Sequence, residues 1–193
     1  MTRRLNDFYP TPAWATQELI KRVPIIGVIL EPCAGQMDIS KRLDSSVDRL
    51  VFSSDLTWDN EAPRDATKDA FWDYWSKETP LDWVVTNPPF THAAEILIKA
   101  YDRAQIGCTF LLRLSFLEPC NGRANFLAKR PPNYLIVLPR ISFTGDGRVD
   151  NCTCAWFVWI KGCQEQTIAI VPKDAPQGQL SLDLGGNCKA STD

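Results

Sequence analysis

A chain of 193 residues with 45% hydrophobic content suits one domain with a sizeable core. Its 21 basic and 23 acidic side chains leave a formal net charge of -2, which excludes a uniformly cationic surface and restricts any polyanion to local basic patches. No run approaches the length needed to cross a bilayer and no charged-then-apolar leader follows Met1, so a cytoplasmic protein without membrane contact is expected.

In chain order, Asp7-Phe8-Tyr9-Pro10-Thr11-Pro12 reads as an irregular N-terminal arm. Val28-Ile29-Leu30 is a short apolar strand that leads into Glu31-Pro32-Cys33-Ala34-Gly35-Gln36-Met37-Asp38, and Ile39-Ser40-Lys41-Arg42-Leu43 can then start a helix. Such a strand-turn-helix brings backbone close to a ligand at the carboxyl end of a sheet, where open α/β folds bind their ligands. The full G-x-G-x-x-G of dinucleotide binders is absent. Leu50 to Ser54 reads as the next strand and ends at Asp55, and the run Leu81 to Val85 ends in Thr86-Asn87-Pro88-Pro89-Phe90. Ala93 to Ala104 carries apolar residues at helical spacing, Cys108 to Leu112 reads as a buried strand, and a helix is expected around Arg123 to Lys129. Tyr134 to Leu138 and Trp156 to Ile160 complete the strands. This alternation predicts an α/β doubly wound sheet with helices on both faces, built by residues 1-172 as a single domain and followed by a polar tail, 173-193.

Thr86 to Phe90 carries the chemistry. Pro88 biases Asn87 toward extended backbone, and neither Pro88 nor Pro89 has an N–H to give a neighbouring strand. The Asn87 amide and the nearby carbonyls are then available to a site. An exocyclic amine such as adenine N6 is a poor nucleophile, because its lone pair is delocalised into the ring. Two acceptors, the Asn87 amide oxygen and the Pro88 carbonyl, can hold its two N–H groups and favour a pyramidal nitrogen in the transition state, while Phe90 stacks on the base. A Pro-Pro loop with a core phenylalanine is the plainer alternative.

Together these segments resemble the S-adenosylmethionine-dependent N6-adenine DNA methyltransferases, and the resemblance runs through most of the chain. It implies a Rossmann-like class I methyltransferase fold, with a seven-stranded mostly parallel sheet whose last pair is antiparallel. It implies S-adenosylmethionine as cofactor, S-adenosylhomocysteine as product, and no metal. Glu31, Pro32, Cys33, Gly35 and Asp38 fall in the turn that contacts the methyl donor. Phe8, Tyr9, Pro10 and Thr11 match the aromatic-Pro-Thr-Pro element over its methionine end, where the Thr11 hydroxyl can bond a carboxylate. Asp55 stands where the family places an acid on the ribose hydroxyls, although an aspartate after a strand also serves as a cap. Asp69 and Phe71 match the element that reads the cofactor adenine, with Asp65 and Asp73 close by as part of an acidic helix face. Asn87, Pro88, Pro89 and Phe90 are the catalytic set. Cys33 reads as a small apolar filler, and His92, the single histidine, as a cap or rim residue beside the motif.

DNA is the partner that the resemblance implies. Local basic patches are Arg3-Arg4, Lys129-Arg130, and Arg140 with Arg148, the last two flanking a glycine-containing loop expected on the rim of Asn87. Phe143 in that loop can face the base opposite Phe90 or pack as a core aromatic. Many family members that choose a specific site carry a separate target-recognition domain, for which the residues after Ile160 leave no room. Gln179-Leu180-Ser181-Leu182-Asp183-Leu184 resembles the short peptides that dock on the bacterial replication sliding clamp, and an edge strand or folded-back tail is its alternative. The seven cysteines show no disulfide framework, and Cys152 and Cys154 lack a second pair to complete a zinc site. The Asn-Pro-Pro-aromatic device also serves adenine in RNA and glutamine amides in protein, and an inactive nucleic-acid-binding module is a further alternative. The Tyr9-Pro10-Thr11-Pro12 element favours DNA.

Overall fold

A computed structural model describes residues 10–59, 61–77, 79–120, 122–141 and 152–173. Seven strands form one sheet: β1 (Gly27–Glu31), β2 (Arg49–Ser53), β3 (Trp83–Thr86), β4 (Gly107–Arg113), β5 (Tyr134–Val137), β6 (Cys154–Ile160) and β7 (Thr167–Ile170), in the spatial order β2-β1-β3-β4-β6-β5-β7. All pairings are parallel except those of β6, which runs antiparallel to both β4 and β5.

The expected strands form where their apolar runs lie, and the central ones are buried on both faces, as in β4 and β6. Alternation along them separates two cores. Phe110, Phe157 and Trp159 face α3 (Asp69–Trp75), α4 (Ala93–Arg103) and α5 (Ala124–Lys129); Ile29, Leu111, Trp156 and Val158 face α1 (Ala13–Ile20) and α2 (Asp38–Leu43). Helix α4 follows the rule for a surface helix, burying Ala93, Ile96, Leu97 and Ala100 at spacings of three and four. Helix α1, unmarked by the sequence pattern, begins directly after Pro12 and is fastened to the sheet by the Trp156 Nε1–H, which donates to the Ala15 carbonyl at 2.8 Å. Among the described residues no helix is long and apolar enough to cross a membrane.

The expected antiparallel final pair, Tyr134 to Leu138 with Trp156 to Ile160, is present as β5 and β6. The sequence pattern did not mark β7, which follows them, crosses to the outer edge and pairs parallel with β5. Asn133 directs that crossing. Its buried side chain donates to the carbonyls of Cys163 and Glu165 and accepts from the Ile160 N–H, while its own carbonyl accepts from the Thr167 N–H at the start of β7. Thr167–Ile170 gave only a brief pattern because it is a half-exposed edge strand, with Ile168 and Ile170 open to solvent.

The junction of β1 and β3 is set by a close approach. Asp82, just before β3, accepts a hydrogen bond from the Val28 N–H at 2.8 Å. Gly27 makes room for it with φ +86°, and a Cβ there would stand 2.2 Å from the Asp82 Oδ2. Gly27→Ala therefore combines left-handed strain with a steric clash, and is expected to cost about 2 kcal/mol or more, read as a lower urea midpoint with an unchanged slope.

Candidate active site

The carboxyl ends of β1, β2 and β3 surround one cleft of about 540 Å³, within the size range of small-molecule sites. Pro10, Thr11, Glu31, Pro32, Cys33, Gly35, Asp38, Asp55, Asn87 and Pro89 line it, so segments far apart in sequence meet there. Ala34, Gln36, Leu56, Thr57, Arg64, Asp65, Ala66, Thr67, Lys68, His92 and Ile96 complete the wall.

The turn after β1 is tied to the loop after β2. The Ala34 N–H donates to the Ser54 carbonyl at 2.9 Å, the Gly35 N–H donates to Asp55 Oδ2 at 2.8 Å, and the Trp58 indole N–H donates to the Gly35 carbonyl at 3.0 Å. Gly35 takes φ +50° and Met37 φ +61°, so the turn is tight enough to press backbone against whatever fills the cleft. Asp55 also accepts from the Thr57 N–H and hydroxyl at 2.9 and 2.6 Å. Its carboxylate is thus a structural clasp and a wall of the cleft at once.

Asp65 repeats that device. It accepts from the Thr67 N–H at 3.0 Å and from the Thr67 hydroxyl at 2.6 Å. Burial pushes its carboxyl up, but the two Thr67 hydrogen bonds, with Lys68 and His92 nearby, outweigh this and hold it below the usual range. Asp69 and Phe71 do not reach the cleft. Asp69 opens α3 on the surface and pairs with Lys99 of α4 at 2.6 Å, which holds its carboxyl below its ordinary value. Phe71 is fully buried, its ring edge-on to Trp72. Asp65, which does line the cleft, shares with Asp55 an Asp-x-Thr spacing in the sequence, Asp55 to Thr57 and Asp65 to Thr67.

Glu31, at the end of β1, is 1% exposed. Its Oε2 accepts from the Ser40 N–H at 2.8 Å and from the Ser40 hydroxyl, which in turn meets the Ser53 hydroxyl at 2.6 Å. Burial raises its carboxyl to about 8, against the Ser40 hydrogen bonds and with some help from Asp38 and Asp55. The Cys33 thiol is also pushed up by burial, to about 12, opposed by a hydrogen bond with Thr86. It packs against the core and also lines the cleft.

At the end of β3, the Asn87 Nδ2–H donates to the Thr11 hydroxyl at 3.0 Å. Thr11, whose hydroxyl the sequence motif assigns to a cofactor carboxylate, thus orients the amide. Pro88 is buried behind the cleft and Pro89 lines it. Phe90, the next residue, is not among those that line the cleft; the Arg113 guanidinium stands 4.4 Å from its ring centroid, a contact no motif announced. His92 occupies the N-cap position of α4 without a side-chain cap bond and lines the cleft. Arg140 is exposed after β5 and does not line the cleft. Phe8, Tyr9, Phe143, Arg148 and the peptide Gln179 to Leu184 lie outside the described residues.

No family model matches the chain, and no curated protein matches it by sequence. Among solved structures it is similar to a Listeria monocytogenes protein assigned as a class I S-adenosylmethionine-dependent methyltransferase, with a TM-score of 0.49 at 14% identity, covering 82% of this chain and 62% of that one. It is also similar to a chain of a type I restriction-modification system, with a TM-score of 0.45 at 12% identity over 88% of this chain and 45% of the other. The chain therefore spans less than two thirds of either neighbour. At these scores and identities the likeness is one of sheet architecture, and the chemistry of the cleft has to be read from its own residues.

Glu31 gives the cleft a pH signature. The unfolded chain ionises this carboxyl near 4.5 and the folded one near 8, so between those values the unfolded state holds fewer protons. Stability from this group is full below about 4.5 and is lost as pH rises toward 8, by about 1.4 kcal/mol per pH unit. Glu31→Gln is expected to flatten that decline in urea titrations run without ligand from pH 5 to 8.

Proposed function

We propose that the chain is an S-adenosylmethionine-dependent methyltransferase acting on the exocyclic N6 of adenine in DNA. The observation that supports this best is the Asn87 amide, oriented by Thr11 on the wall of the same cleft that the Glu31 to Gly35 turn lines. An acceptor for a planar amine and a carboxylate-rich cavity thereby share one space.

The cleft suits the cofactor chemically. Glu31, Asp38, Asp55 and Asp65 supply acids for a ligand that carries a positive sulfur, a primary amine and ribose hydroxyls, while Ala34, Gly35 and Ala66 leave room for a flat purine. When bound, S-adenosylmethionine supplies an electrophilic methyl group. Asp55 is assigned to the ribose hydroxyls through the lone pairs left beyond Gly35 and Thr57. Asp65, in place of Asp69, is assigned to the purine amine. The flipped or single-stranded adenine enters beside Asn87; the Asn87 amide oxygen and Pro88 carbonyl accept its N–H groups, and Phe90 stacks on the ring. As N6 bonds to the methyl carbon the carbon–sulfur bond breaks, and the N6 proton leaves to water. Positioning and electrostatics supply most of the rate. Residues 1-172 form the catalytic domain in this reading.

Incubation with radiolabelled methyl donor and, in separate reactions, duplex DNA, RNA and protein tests the assignment. Label in adenine of DNA is expected; label in protein or RNA alone would overturn the DNA acceptor. Asn87→Ala is expected to lower transfer by at least 100-fold with cofactor affinity unchanged by calorimetry. Asp65→Asn is expected to weaken cofactor binding by about 10- to 100-fold, the loss of a charged hydrogen bond, whereas Asp69→Asn leaves it within twofold. Equal effects of the two would return the adenine-reading role to Asp69.

A further inference from the structure

Phe90 and Arg113 come from different strands and are delivered to each other by register. β3 and β4 pair in parallel with Thr86 opposite Phe110, and both chains then run past the end of the pairing, one to Phe90 and the other to Arg113. The guanidinium stands 4.4 Å from the ring centroid, inside the range of a cation–π contact. Arg113 is itself held firmly. It pairs with Cys154 across β4 and β6, and the next N–H, of Leu114, donates to the Thr153 carbonyl at 3.0 Å. The 3-10 turn beyond it, Leu114–Leu117, is stiffened by Arg123, whose guanidinium donates to the carbonyls of Phe116 at 2.8 Å and Ser115 at 3.2 Å and lies over the Phe116 ring.

We propose that Arg113 is a positioning residue for the target base, fixing the plane of Phe90 so that a base beside Asn87 meets the ring in one orientation. This deepens the methyltransferase reading and rests on it. The guanidinium over the ring also sets a class of acceptor. Its positive potential at the stacking surface suits a neutral, electron-rich ring such as a purine, and repels a protonated lysine or arginine side chain. The acceptor nitrogen is therefore one that is uncharged at neutral pH.

A double-mutant cycle on Arg113 and Phe90 tests this with a single-stranded oligonucleotide mixture rich in adenine. Arg113→Ala is expected to lower kcat/KM for the oligonucleotide about tenfold, with cofactor affinity and melting temperature unchanged. Arg113→Lys keeps the cation without the flat guanidinium and is expected to recover part of that loss. Arg113→Gln, which retains part of the side-chain stem, should match the alanine variant and serves if that variant does not fold. In a Phe90→Ala background the Arg113 substitution should cost nothing further, because Arg113 acts through that ring. Additive losses, or full activity of Arg113→Ala and Arg113→Gln, would overturn the role while leaving the methyltransferase reading intact. A wild-type chain that labels no adenine in any nucleic acid would overturn both.

Discussion

Everything in the cleft depends on where the chain changes direction across the sheet. It lays β2 on one side of β1 and then passes over to lay β3 on the other, so the loops leaving β1 and β3 part company and a crevice opens between them. Parallel pairing puts all three carboxyl ends on the same rim. The loops that carry Gly35 and Asp55 are joined by short hydrogen bonds, and the Asn87 amide is joined to Thr11, so that all of them share one wall. Gly27 and Asp82 secure that junction from the opposite end of the strands.

The acids of the cleft are kept distinct by their surroundings. Asp55 and Asp65 each clasp a threonine two residues on, and for Asp65 those bonds hold the carboxyl below its usual range. Glu31, two hydrogen bonds notwithstanding, is buried deeply enough to favour the neutral form. Asp65 thus favours its charged form, while Glu31 in the same cleft can gain or lose a proton near neutral pH.

Most of the fold was legible because the chain alternates apolar runs with amphipathic ones, and the central strands, buried on both faces, give the clearest runs. What escaped was local. Helix α1 is only eight residues long and comes after two prolines, and β7 is an edge strand whose placement is dictated by Asn133 from another part of the chain. In the cleft, the turn after β1 and the Asn87 segment could be read because their residue types are unusual in themselves. Asp65 shares the Asp-x-Thr spacing of Asp55, but that Asp69 stands away from the cleft follows from its pairing with Lys99 of α4, which the sequence does not show. Arg113 was silent for the same reason, since its meaning lies in the register of β3 against β4.

The aim of the Asn87 amide is inherited from a strand that does not touch the cleft. Trp156 on the antiparallel strand β6 grips the first turn of α1 through the Ala15 carbonyl; that turn fixes the chain that carries Thr11; and Thr11 fixes the amide. Two side-chain hydrogen bonds and a single turn of helix form this relay. The alignment of that amide is therefore a property of the whole sheet, including its reversed strand β6, and a defect in the packing of β6 would register first as a loss of accuracy at Asn87, before any loss of the fold.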